Sequence, residues 1–277
     1  PAGPAAALTF GPHGGYHSHY DKLSFVFYGR SRELATDRGR AASQAYRLPI
    51  HKRWYKATLS HNTVVVDGQS HRAAGGTLLA FGAAEERAAA LTAGDRLNPG
   101  VERRRLLYLT PGWLLVYDRL ASRHAHTYDW YLHAPLADVR CAAATEPREQ
   151  LDAYAGLEYL EDLRQGETDG DVEALFAGDT AKLRVRVRAD GTSGALVATG
   201  PGRSKAHRVP LLRVRRRAAT VTFLAVLEPL APDGASQVET LRTAPTDDGV
   251  RITVTHRSGV ETVDVGAASI RGQADGR

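Results

Sequence analysis

Three of the chain's 11 histidines, His13, His17 and His19, fall within seven positions of Gly11-Pro12-His13-Gly14-Gly15-Tyr16-His17-Ser18-His19-Tyr20-Asp21-Lys22-Leu23-Ser24-Phe25. Imidazoles bind metals and move protons near neutral pH, and paired glycines let a backbone turn sharply beside a ligand. On extended chain the i, i+2 spacing of His17 and His19 turns both rings to one face, where one could hold an ion and the other carry a proton. The same spacing also suits an exposed polar loop or two hydrogen-bonded sheet histidines. Cys141 is the single cysteine, so neither an internal disulfide nor a Cys-rich zinc site is available, and any metal must use histidines and carboxylates.

The elements that must position such residues read as strands. Leu183 to Arg188 alternates apolar and charged residues strictly, and Arg251 to Thr255 does much the same, which puts one face on a core and the other in water. β-Branched or aromatic runs recur at Leu23 to Tyr28, Thr63 to Val66, Arg104 to Leu109, Trp113 to Tyr117, Thr127 to Leu132 and Thr220 to Leu227. Asp67-Gly68, Pro111-Gly112, Asp190-Gly191 and Asp233-Gly234 are turn signals between runs. On propensity, helices are expected only at Ala83 to Leu91 and, more weakly, at Leu157 to Arg164. The expected fold is all-β: a large antiparallel β-sandwich of stacked sheets with few short helices. Gly200 to Ala206 is a polar break that offers a domain boundary, but strands flank it on both sides, and residues 1–277 read as one module.

With 277 residues, 43% of them hydrophobic, the chain can build a large core, and no run approaches the roughly 20 apolar residues of a membrane span. The net charge of +5 favours a polyanionic partner, whether nucleic acid, anionic lipid or acidic polysaccharide. No nucleic-acid motif accompanies the charge, and the aromatics form no stacking platform, so nucleic acid is set aside. The arginines of Arg103-Arg104-Arg105, Arg213 and Arg215-Arg216-Arg217 either line a groove for carboxylates or sulfates or cover solvated strand faces. Residues 1–10 lack the charged start and long apolar middle of a secretory signal. The absence of Met suggests a piece of a longer product.

The His-rich segment, the Asp37-Arg38-Gly39 triplet, Trp54-Tyr55 and Ser60-His61-Asn62-Thr63-Val64-Val65-Val66-Asp67-Gly68 together resemble the β-sandwich domain of heparinase II/III-like polysaccharide lyases. Leu114 to Leu120, Trp130-Tyr131-Leu132-His133 and Phe223 to Pro229 agree with it. The resemblance implies that His17 lines the catalytic cleft and that His19, Asp37 and His61 bind a zinc ion whose role is structural. It implies β-elimination at a uronic acid of an acidic polysaccharide, a periplasmic or secreted location, and an α/α-toroid domain that supplies the acid/base tyrosine. No such helical domain is present in this sequence, so the resemblance leads us to expect a lyase incomplete without it. Tyr16, Tyr20, Trp54 and Tyr55 are candidate sugar contacts, with ordinary packing as the alternative for each. The alternative for the whole chain is a noncatalytic carbohydrate-binding or structural sandwich that retains the metal.

Overall fold

A computed structural model of the chain describes residues 3–39, 47–151 and 153–276. The first sheet holds β1 (Ala5–Leu8), β2 (Phe25–Gly29) and β3 (Arg32–Ala35) in the order β1-β2-β3. Its β2–β3 turn is Arg30-Ser31, both with left-handed φ of 53° and 60°, a turn whose twist matches antiparallel strands.

The main sheet has twelve strands. The first six are β4 (Val64–Val66), β5 (Thr77–Ala84), β6 (Arg87–Ala93), β7 (Val101–Leu109), β8 (Leu114–His133) and β9 (Asp138–Cys141). The rest are β10 (Glu146–Arg148), β11 (Glu161–Thr168), β12 (Val172–Ala177), β13 (Lys182–Val187), β14 (Ser193–Pro201) and β15 (Arg208–Leu230). A final four-stranded meander comprises β16 (Val238–Thr246), β17 (Gly249–His256), β18 (Gly259–Gly266) and β19 (Ile270–Gly276).

Two long strands join the layers. β8 has 20 residues and β15 has 23, and they pair with each other along most of their length, with a register shift between Ala218 and Thr220. On its free edge the first half of β8 pairs with β7 and the second half with β4; β15 pairs with β14 through its first half and with β13 through its second. Period-two alternation sends neighbouring side chains into different cores. Val64 and Val66 enter the main core with Trp130, Leu212 and Phe223, whereas Val65 joins Trp54, Tyr55, Tyr131 and Leu211 on the opposite face. A third core lies between Leu106, Leu115 and Leu224 and the meander's Ile252, Val254 and Val263. The all-β sandwich is as expected, thickened by the meander into a third layer.

Two local expectations are corrected. Ala83 to Leu91 forms the β5–β6 hairpin and not a helix, because pairing with β7 and burial of Ala89 and Leu91 override alanine's local helix preference. Leu157 to Arg164 gives a single 3₁₀ turn, Leu157–Tyr159, before β11. Gly200 to Ala206, the polar break, covers the end of β14 and the turn into β15, two strands paired from Gly194 to Pro201. Among the described residues no helix is long and apolar enough to cross a membrane.

Candidate metal centre

The His-rich loop leaves β1 and returns to β2 through fixed anchors. Gly11 and Gly76 exchange backbone hydrogen bonds at 2.9 and 3.2 Å, and neighbouring Gly75 must lack a side chain because a Cβ there would stand 2.5 Å from the Gly11 carbonyl oxygen. Further along, the Tyr20 N–H donates to the Lys56 carbonyl at 2.9 Å, the Thr58 hydroxyl to the Tyr20 carbonyl at 2.6 Å, and the Lys56 ammonium to the Tyr16 carbonyl at 2.6 Å. The loop is thereby bolted to residues 56–58, three positions before His61.

His17 and His19 do not share an extended segment. Gly15–His17 is a 3₁₀ turn, opened by Gly15 at φ 75°, which leaves His17 exposed while His19 turns inward. The His19 ring sits 5.4 Å from the ring of His61, centroid to centroid. His61 closes the Thr58–Ser60 turn just before β4 and is fully buried. Asp37 follows β3, where the Thr36 N–H donates to the His133 carbonyl at 2.9 Å. Its Oδ1 accepts the Gly39 N–H at 2.7 Å, which aims Oδ2 at His61 Nδ1, 3.2 Å away.

One donor atom from each of His19, Asp37 and His61 lies within 4.8 Å of the others, a cluster able to hold a metal ion. Two ligands held at roughly 2.0–2.2 Å by a tetrahedral zinc stand roughly 3.3–3.6 Å apart, close to the Asp37–His61 approach. The donor set of two imidazoles and a carboxylate therefore fits zinc.

Electrostatics agree with the geometry. Burial and then the charge of His61 lower the His19 pKa to about 4, which keeps this imidazole neutral and free to ligate. Burial pushes the Asp37 carboxyl up, but the charge and hydrogen bond of His61 and the Gly39 N–H outweigh it and hold the group well below the usual carboxylate range. For His61, burial pulls down, yet Asp37 acting by charge and hydrogen bond raises the pKa. Asp37 and His61 thus favour each other's charged forms.

The predicted sugar contacts divide. Tyr16 is 78% exposed, with the Lys56 ammonium 5.4 Å from its ring centroid and His17 edge-on at 5.2 Å. Tyr20 is half-buried and stacks on His13. Trp54 and Tyr55 are buried. The Trp54 indole N–H donates to the Pro201 carbonyl at 2.8 Å, and its ring packs so closely on β14 that a Cβ at Gly200 would come within 2.5 Å. Both aromatics pack beneath the site instead of facing a sugar. Beside the cluster Asp37 also lines a cavity of about 540 Å³ with Glu33, Arg38, Arg203 and His207, whose mixed charges select no ligand class.

The C-terminal model of the heparinase II/III-like family matches residues 5–209. The chain belongs to that family. It is 42% identical over 62 residues to an alginate lyase of Stenotrophomonas maltophilia strain K279a, a stretch covering 20% of this chain and 8% of that enzyme. An exo-oligoalginate lyase of Saccharophagus degradans is 37% identical over 62 residues, with the same shares. Among solved structures, a heparan sulfate lyase of Pedobacter heparinus superposes with a TM-score of 0.68 at 12% identity, covering 99% of this chain and 39% of that one. A heparinase III gives 0.66 at 12% identity, covering 100% and 40%. This heparinase II/III-like chain thus spans well under half the length of the lyases it superposes on, and at these identities the likeness is one of fold.

Sequence reasoning missed Lys56, which holds the loop at Tyr16, and Arg103 and Arg105, which are buried and lie on neither a groove nor a solvated face. The signal for the arginines was Asp118, a lone acid in the apolar run from Leu114 to Leu120 that needs a cation if it is buried.

Proposed function

We propose that this chain is the β-sandwich part of a polysaccharide lyase that cleaves a uronic-acid-containing polysaccharide by β-elimination. In that reaction a base takes the C5 proton, its electron pair forms the C4–C5 double bond, and the 4-O bond breaks with protonation of the departing oxygen. The observation that carries the reading is the convergence of His19, Asp37 and His61, from three separate segments, beside the exposed His17. The family supplies the class of chemistry.

His17, on a short turn fixed by Lys56 and the Gly11–Gly76 bridge, presents its imidazole to solvent where a polymer can reach it and a proton can move. Tyr16 beside it offers a ring face to a sugar. When bound, zinc would supply a structural tie among the three segments, with no Lewis-acid duty required. The acid/base tyrosine and the other wall of the cleft belong to an α/α-toroid domain, the sandwich's partner in the complete enzyme. A polymeric substrate goes with a periplasmic or secreted location.

The test is the rise in ultraviolet absorbance of the unsaturated product on alginate, heparan sulfate and hyaluronan, with this chain alone and joined to a toroid domain. We expect near-inactivity alone and turnover when joined. In the joined form, His17→Ala should lower turnover at least ~100-fold while zinc content and melting temperature hold. Unchanged turnover would sink the role of His17, and inactivity of the joined form on every uronate polymer would favour a noncatalytic, metal-retaining sandwich.

A further inference from the structure

Asn62 is fully buried, and its backbone and side chain together make six polar contacts. Its side-chain NH₂ donates to the carbonyls of Phe25 at 2.8 Å and Thr36 at 3.1 Å, and its Oδ1 accepts the His133 backbone N–H at 2.8 Å. His133 Nδ1 is also 3.3 Å from that oxygen. These backbone neighbours fix which end of the amide is which, since carbonyls face the nitrogen and an N–H faces the oxygen. Its backbone N–H donates to Ser24 Oγ at 3.1 Å, and its carbonyl accepts from Arg105 at 2.7 Å.

The partners of this one side chain are not random neighbours. Thr36 directly precedes Asp37, Asn62 itself directly follows His61, and Phe25 begins the strand into which the His19 loop feeds. We infer that Asn62 is the positioning residue of the metal centre: a single amide clamps the three ligand-bearing segments to one another and to the end of β8. This rests on the metal reading above. An apolar side chain of similar size would fill the space yet leave the carbonyls of Phe25 and Thr36 unpaired, freeing the segments to drift apart. Aspartate, equal in shape, would set an acceptor against those same two carbonyls.

The experiment measures zinc affinity by chelator competition and the visible spectrum of the cobalt-substituted protein, in wild type, Asn62→Asp, Asn62→Ala and the core control Val185→Ala. Circular dichroism and melting report folding in parallel. Displacing groups that orient metal ligands typically weakens binding about 10–100-fold, and we expect that loss with an altered cobalt spectrum in both Asn62 variants. Val185→Ala, which truncates a buried side chain in the sandwich core, should melt earlier and bind zinc as wild type does. Wild-type affinity and spectrum in a folded Asn62 variant overturn the inference. Should neither variant fold, hydrogen exchange of wild type decides: the His133 N–H belongs to no candidate ligand, so slower exchange there on zinc loading supports the clamp, and protection confined to the ligand loops refutes it. A wild type that takes up no zinc defeats the metal reading and this inference together, whereas zinc uptake unaffected by the variants defeats the inference alone.

Discussion

Arg105 and Asp118 form a fully buried, two-pronged ion pair, with Nε to Oδ1 at 2.7 Å and Nη2 to Oδ2 at 2.6 Å. The remaining guanidinium nitrogen reaches the carbonyls of Leu23 and Asn62, and the Trp130 indole N–H completes the carboxylate at 3.2 Å. A buried pair tolerates removal of one partner poorly, because the other charge stays behind without compensation. Asp118→Asn should therefore lower the unfolding free energy by about 3–5 kcal/mol, measured by urea denaturation. A loss below about 1 kcal/mol, the value of an exposed pair, would contradict it.

Metal removal should separate the cluster from the rest of the sandwich. Wild type is expected to bind one zinc, and His61→Ala or Asp37→Ala to bind close to none, by elemental analysis after dialysis. Chelator should lower the wild-type melting temperature and leave that of the variants unmoved. Equal zinc in wild type and variants would place the metal elsewhere.

The pH dependence should reverse with zinc. In metal-free protein His19, whose folded pKa is depressed to about 4, withdraws stability as pH falls below the ordinary 6.5. His61, whose folded pKa is raised, contributes stability below 6.5 that is lost as pH rises through its folded value. These two histidines alone put the metal-free optimum near 6.5. Zinc needs both imidazoles unprotonated, so the melting difference between loaded and metal-free protein should widen steadily from pH 6 to 8. A constant difference across that range would argue against imidazole ligands.

Trp54 offers a test of packing against sugar contact. Trp54→Ala should destabilise by about 3–5 kcal/mol, since it empties a full-size site in the core. Trp54→Phe should cost less and leave the KM of the toroid-joined enzyme unchanged. A KM rise with undiminished stability would restore Trp54 to the cleft.

Much of this was legible because period-two alternation is a local property. Val64-Val65-Val66 announces a strand, and its burial on both faces follows from the layers on either side. His19, Asp37 and His61, the residues of the cluster, stood out by type and motif. Other features depend on distant partners and left no local mark. Ala83 to Leu91 carries alanine's helix preference, and only its pairing with β7 makes it a hairpin. His17 left its extended reading when Gly15 opened a turn. Trp54 and Tyr55 lie beside the motifs in sequence, as a cleft wall would, but the course of β14 covers them. The arginine runs were ambiguous because Arg105 finds Asp118, and Arg215 finds Asp129, only once the sheet has formed.

The strand β4, which begins three residues after His61, is held by Tyr128 to Trp130 of β8, and Thr36 next to Asp37 is held by His133. On a ribosome these segments thus emerge long before β8 does. Until residue 133 has been synthesised and β8 has folded back, β4 and Thr36 lack these partners, so the segments that carry His61 and Asp37 gain their final support late.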